Sequence, residues 1–166
     1  DPADRTVAGH WEGDLIVGPH NRSAIGTLVE RQTRYVRLLH LPAHNSSALH
    51  AALVRLLNEL PPPLRRTLTW DQGTEMAKHL EITADTGTKI YFCDAASPWQ
   101  RGSNENTNGL LRQYFPKSTN LAVHTPHDLA RVESELNRRP RITLGDRTPA
   151  DLFELLLASG NHPALQ

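Results

Sequence analysis

The sequence predicts an α/β domain: a mixed five-stranded sheet flanked by helices, in the order β-β-β-α-β-α-β-α-α-α. Three observations carry that expectation. Three short alternating runs follow one another with connections too short for anything but antiparallel pairing, since a parallel return needs about a dozen residues or more. A leucine-periodic helical stretch then separates the third run from a fourth, which allows a right-handed crossover to a parallel neighbour. A fifth run is followed only by helical patterns.

His10 to Val17 alternates, with Trp11, Gly13, Leu15 and Val17 facing one way and Glu12, Asp14 and Ile16 the other. Gly18-Pro19-His20-Asn21 ends this strand as a turn cluster. Ser23 to Glu30 and Tyr35 to Leu41 read as the second and third strands, joined through Arg31-Gln32-Thr33. Asn45-Ser46 supplies an N-cap to a helix whose Leu49, Leu53, Leu56, Leu57 and Leu60 recur at helical spacing until Pro61-Pro62-Pro63 stops it. Arg66 to Asp71 is the fourth strand, with Leu68 and Trp70 on one face and Thr67, Thr69 and Asp71 on the other. Gln72-Gly73-Thr74 breaks it ahead of a short helix from about Glu75 to Asp85, and Lys89 to Cys93 reads as a buried fifth strand. A Pro/Gly-punctuated loop leads into a helix with Glu105 in its first turn, Leu110, Leu111 and Tyr114 on one side, and Glu105, Asn108 and Arg112 on another face. Thr125-Pro126-His127-Asp128 and Thr148-Pro149-Ala150-Asp151 look like starts of the last two helices. Residues 1–9 read as an N-terminal arm, 10–158 as one core and 159–166 as a tail.

Composition narrows the class. With 166 residues and 38% apolar content, the chain can bury a sizeable core. Lys+Arg and Asp+Glu are both 18, so the overall basic footprint of a free-standing nucleic-acid binder is missing. The single Cys93 excludes an internal disulfide framework and suits a reducing compartment. No apolar run approaches the ~20 residues of a membrane span, and no signal peptide is visible.

Two of the acids lie on strands and one at a helix start. If the fourth strand lies parallel to the first, Asp14 and Asp71 sit on neighbouring strands, and Glu105 enters from the helix after the fifth. Three crowded carboxylates repel, and without a cation at least one would take up a proton. Oxygen-only ligands without His or Cys suit Mg²⁺ or Mn²⁺ rather than zinc. Two such ions, about 3.5–4 Å apart, form the clamp for in-line displacement at a phosphodiester. Asp14 would bridge them, with Asp71 and Glu105 each completing one. A carboxylate-pair glycosidase is the competing enzyme class; 5% aromatic content and a third acid argue against it.

The blocks around these acids resemble a known family. Trp11-Glu12-Gly13-Asp14-Leu15-Ile16 with Ala24 to Arg31 is similar to the first block of a DDE transposase core. Leu68-Thr69-Trp70-Asp71-Gln72-Gly73-Thr74-Glu75-Met76 resembles the second, and Ser97 to Asn106 followed by Leu110 to Pro116 the third. Leu136 to Arg141 and Thr148-Pro149 match the tail of that core. The chain is most similar to the IS-thirty family of bacterial insertion-sequence transposases, related in fold to retroviral integrases and RNase H. The resemblance runs from about Trp11 to Leu155, and the 34 positions between Asp71 and Glu105 fit it. Ala95 stands where the family pattern leads one to expect proline, and Ile142 where it leads one to expect a basic residue.

The resemblance implies an RNase H-like catalytic core for DNA transposition. Strand cleavage by water would be followed by attack of the freed 3′-hydroxyl on another phosphodiester. It implies Asp14, Asp71 and Glu105 as catalytic and metal-holding residues and two Mg²⁺ ions, with Mn²⁺ as substitute, when DNA is bound. It also implies terminal inverted repeats and target DNA as partners, a homo-oligomer on paired ends, no membrane, and a cytoplasmic, nucleoid-associated setting in a bacterium. Between Arg101 and Arg141 lie seven basic residues and four acids, a face suited to phosphates once Glu105 is neutralised. Arg101, Asn104, Asn108, Arg112 and Lys117 are its candidate DNA contacts, although the two asparagines could equally brace the catalytic helix. Trp11, Trp70 and Trp99 read as packing residues, Glu12 as a supporting group on Asp14's face, and Cys93 as inert core. His124 and His127 look like a metal pair but fit a helix start better. An RNase H-like nuclease or resolvase, and a non-catalytic transposase remnant, are the alternatives.

Overall fold

In the computed structural model, residues 7–71, 78–93 and 102–159 are described; the side chains of Asp71, Cys93 and residues 102–106 are not. The strands are β1 (His10–Val17), β2 (Ala24–Glu30), β3 (Val36–His40), β4 (Thr67–Asp71) and β5 (Lys89–Cys93). The helices are α1 (Ser46–Asn58), α2 (His79–Thr86), α3 (Gly102–Leu111), α4 (Pro126–Asn137) and α5 (Pro149–Ala158).

The sheet order is β3-β2-β1-β4-β5. β1 and β2 are antiparallel, as are β2 and β3. The crossover through α1 returns β4 parallel to β1, and β5 adds parallel to β4. This is the mixed sheet that the connection lengths predict. Alternation along the strands sorts the core into two layers. Trp11, Leu28, Leu39, Leu68 and Trp70 join Leu49, Leu53, Leu56 and Leu57 of α1, Ile82 of α2, and Phe153 and Leu156 of α5. On the other face, Ile16, Ile25, Val29, Val36 and Leu38 meet Leu111, Phe115, Leu121 and the α4 residues Leu129, Val132 and Leu136.

Local chemistry sets the ends. The Asn45 side chain accepts from the Ala48 N–H at 2.8 Å and starts α1. Thr125 and Asp128 form a reciprocal capping box at α4, and Thr148 accepts from the Asp151 N–H at α5. Trp11 donates its indole N–H to the Leu64 carbonyl at 2.8 Å. Phe153 stacks on Tyr35 at 4.2 Å between ring centres and meets Trp11 edge-on at 5.8 Å.

The outer side of β3 is covered by α4. Asn137 accepts from the Val36 N–H at 2.8 Å and donates to the Val36 carbonyl at 2.9 Å, so one amide copies a strand partner. Glu133 holds Arg37 at 2.6 Å beside it.

One expectation needs correction. β5 is not a buried strand: among the described residues it is the sheet's edge, paired with β4 alone, and Tyr91 and Phe92 are 53% and 36% exposed. An apolar run alone does not distinguish an edge from a centre. Of the helix expected from about Glu75, the described part is α2, which starts at His79 after Lys78 at φ −97° and ψ 24°; positions 72–77 lie outside the described residues.

Candidate active site

Asp14 lies in mid-β1 on the α3 side of the sheet, directly opposite Thr27 of β2. Its Oδ1 accepts from the Leu15 N–H at 2.8 Å, and its Oδ2 accepts from the Asn108 side-chain amide at 3.2 Å. Thr27 is fully buried; its hydroxyl stands 3.2 Å from Asn108 Oδ1 and 3.3 Å from the Asp14 carbonyl. That contact with Oδ1 and the bond from the amide N–H₂ to Asp14 give the Asn108 side chain a defined orientation. Asn108 therefore ties the carboxylate of a strand acid to the helix that carries Glu105 one turn earlier.

The second acid follows from register. Gly13 of β1 pairs with Trp70 of β4. Asp14 and Asp71 are the next positions along two parallel strands, so their backbones run side by side. The glycine has a steric reason: a Cβ at 13 would stand 2.3 Å from two ring carbons of Trp70. Trp70 is 1% exposed and belongs to the core.

Among the other sequence candidates, Arg112 is half-buried and donates from Nη1 to the Phe115 carbonyl at 3.3 Å. α3 closes at Leu111 and not beyond Arg112, with Pro116 soon after in the chain, although Arg112 N–H still reaches the Asn108 carbonyl at 3.2 Å. Lys117 is exposed. Arg101, Trp99, Glu75, Asp94 and Ala95 lie outside the described residues, as do the side chains of Asp71, Cys93, Asn104 and Glu105. Glu12, 1% exposed, sits 3.6 Å from the Nε of buried Arg31. His124 packs edge-on against Phe115 at 4.7 Å. Among the described residues no group of three or more His, Cys, Asp or Glu could hold a metal ion, and no helix is long and apolar enough to cross a membrane. The donors that are described suit a hard cation: Asp14 offers oxygen and its bonded partners are an amide, a hydroxyl and a backbone N–H.

Two further residues were not singled out in the sequence. Thr27 looks like an ordinary strand residue; only its register opposite Asp14 reveals it. Glu30 is fully buried and accepts from the N–H groups of Gly9, Gln32 and Thr33 and the Thr33 hydroxyl. It fixes the β2–β3 turn and the entry to β1. Burial pushes its carboxyl above the usual range, outweighing those donors.

Comparisons with known proteins identify the family and the fold. The family profile described as Integrase core domain matches residues 4–98, which include Asp14 and Asp71 and end before Glu105. The chain is 54% identical over 151 residues to "Transposase InsI for insertion sequence element IS30C" of Escherichia coli, covering 91% of this chain and 39% of that protein. It is 51% identical over 156 residues to "Transposase for insertion sequence element IS1086" of Cupriavidus metallidurans, covering 94% and 46%. The chain thus spans less than half the length of these relatives. A chain of the simian T-cell lymphotropic virus intasome, solved by cryo-EM in complex with PP2A regulatory subunit B56 gamma, superposes with a TM-score of 0.68 at 20% identity. The match covers 89% of this chain and 55% of that one, and establishes the RNase H-like, retroviral integrase-like fold. The profile spans more than half of the sequence, and relatives above 50% identity are transposases of the IS30 type, so this chain belongs to the integrase core domain family.

Proposed function

We propose that this chain is the catalytic core of an insertion-sequence transposase, a polynucleotidyl transferase that cleaves DNA strands and joins the freed 3′-hydroxyl to another phosphodiester. The observation that supports it best is the junction at Asp14: one carboxylate, in register beside the Asp71 backbone, is bonded by Asn108 to the helix that bears Glu105. Relatives named as transposases favour this chemistry over an RNase H-like nuclease or resolvase.

Asp14, Asp71 and Glu105 would hold two Mg²⁺ ions, or Mn²⁺ in their place, when DNA is bound. Such ions supply activation of the attacking oxygen and stabilisation of the leaving one. The protein's own part is positional. Leu15 N–H and Asn108 hold the Asp14 carboxylate in a fixed orientation, as a cation ligand requires. Arg101, Asn104, Arg112 and Lys117 are proposed to meet DNA phosphates, and Asn108 to act mainly by bracing Asp14. The proposed partners are the element's terminal inverted repeats and target DNA, engaged by a homo-oligomer on paired ends in the bacterial cytoplasm, at the nucleoid.

The test is cleavage by the full-length transposase carrying Asp14→Asn, Asp71→Asn or Glu105→Gln. Each should abolish strand cleavage and leave binding to end DNA intact. Near-normal cleavage by any one removes that residue from the assignment. Crystals soaked in Mn²⁺, read by anomalous scattering, locate the ion independently of activity.

A further inference from the structure

The acids of this electrically balanced chain are unevenly placed. No Asp or Glu occurs in residues 15–29, 31–58 or 106–127. The fold gathers a piece of each stretch beyond the C-terminal end of β1, the direction in which Asp14 leads. These pieces are the β1–β2 turn at 18–23, the β3–α1 connection at 41–45, and the segment 116–121 that follows α3. His44 Nδ1 lies 2.8 Å from the Asn21 carbonyl, and the Leu121 N–H donates to Ser23 Oγ at 3.1 Å. Gly18 is so close to the third piece that a Cβ there would stand 3.2 Å from the Thr119 carbonyl.

The surface so formed presents His20, Asn21, Arg22, Lys117 and Ser118, all exposed. Among the described residues no ion pair engages Arg22 or Lys117. The next acid along the third stretch, Asp128, is committed to the Thr125 N–H at 2.9 Å. His20, Asn21 and Ser118 have φ of 59°, 56° and 64°, a left-handed region that side-chain-bearing residues avoid. The turn tip is thus held in an uncommon shape by its contacts with the neighbouring segments. Cations, amides and hydroxyls contributed by stretches without acids are the donors that phosphate oxygens take.

We infer that this end of the domain is a docking surface for the sugar-phosphate backbone of duplex DNA, with Arg22 and Lys117 as its charged contacts. The inference rests on the transposase reading and extends it from the reacting phosphate to the flanking duplex. Val17 is three strand residues from Asp14, about 10 Å, and the turn lies beyond. At about 3.4 Å per nucleotide along one strand, the contacted phosphates fall roughly three to five nucleotides from the reacting one.

The test measures binding of the 166-residue chain to a fluorescent 25-base-pair duplex in EDTA, across a series of NaCl concentrations. Arg22→Glu/Lys117→Glu should weaken binding at least tenfold at low salt. Arg22→Ala/Lys117→Ala should lower the slope of log affinity against log salt by about two, at about 0.9 for each phosphate that is no longer neutralised. Arg55→Glu/Lys89→Glu, on exposed positions elsewhere, should leave both quantities unchanged. Near-UV circular dichroism confirms that each variant is folded. Unchanged affinity in the Arg22/Lys117 variants, an equal loss in the Arg55/Lys89 variant, or no affinity of the parent chain for duplex overturns the inference. Because metal is absent throughout, failure of the Asp14 chemistry would show only in the cleavage assay and not here.

Discussion

Gly13 and Trp70 face each other across two parallel strands, and the indole occupies the space that a side chain at 13 would need. Each directly precedes an acid, Asp14 and Asp71. The contact therefore fixes the offset between the two acidic positions, and a motif glycine and a motif tryptophan become one packing unit. Gly13→Ala should destabilise the fold by about 1–3 kcal/mol, the range for an overfilled core. Urea unfolding of Gly13→Ala, Trp70→Leu and the pair forms a double-mutant cycle. A pair whose losses simply add would show that the two residues do not share the space.

Thr27 and Asn108 are positioning residues for Asp14. Thr27→Val keeps the shape and removes the hydroxyl, freeing the Asn108 amide to turn. Strand cleavage by the full-length transposase should fall about tenfold to a hundredfold, the scale of a misplaced reacting group, with duplex affinity unchanged. Thr27→Ser should restore most of it. A loss of affinity equal to the loss of rate would instead make Asn108 a DNA contact.

Glu30 gives the fold a pH dependence. Its folded pKa is raised by burial, so the unfolded chain gives up the proton first as pH rises. Stability should decline from the usual carboxylate range up to the raised value and then level off. Glu30→Gln should flatten that slope in urea unfolding curves taken from pH 4 to 8. Glu30→Ala, which strands donors from Gly9, Gln32 and Thr33, should cost at least about 2 kcal/mol.

Asn137→Leu should bare the Val36 N–H and carbonyl at the β3 edge. A loss of about 2 kcal/mol follows from leaving these buried groups unpaired, with faster hydrogen exchange at Val36. Unpaired edges also recruit other strands, so concentration-dependent association by light scattering is expected. A variant that stays monomeric with a protected Val36 N–H would refute the edge role.

Most of the fold was legible because its signals are local. Alternation from His10 to Val17, the Asn45 cap, the triple proline and the Thr125 box each act within a few residues and hold in the structure. Asp14 could be picked out by its block, and its neighbourhood with position 71 by the crossover argument. Thr27, Glu30 and Asn137 could not, because their partners are set by tertiary register: Thr27 meets Asn108 across 81 positions and Asn137 meets Val36 across 101. β5 was misjudged for the same reason, since whether an apolar strand is flanked on both sides is decided by sheet order.

Phe153 comes almost at the end of the chain, yet it packs against Trp11 of the first strand and against Tyr35. One face of the sheet is therefore finished only by α5, well over a hundred positions after β1. Until α5 leaves the ribosome, Trp11 and Tyr35 lack their aromatic partner, and closing that contact spans nearly the whole sequence. Such long-range closure slows folding and lengthens the time for which a nascent chain exposes apolar surface. A gene interrupted between positions 105 and 153 would yield a polypeptide that retains Asp14, Asp71 and Glu105 in its sequence but cannot seal the layer beneath β1.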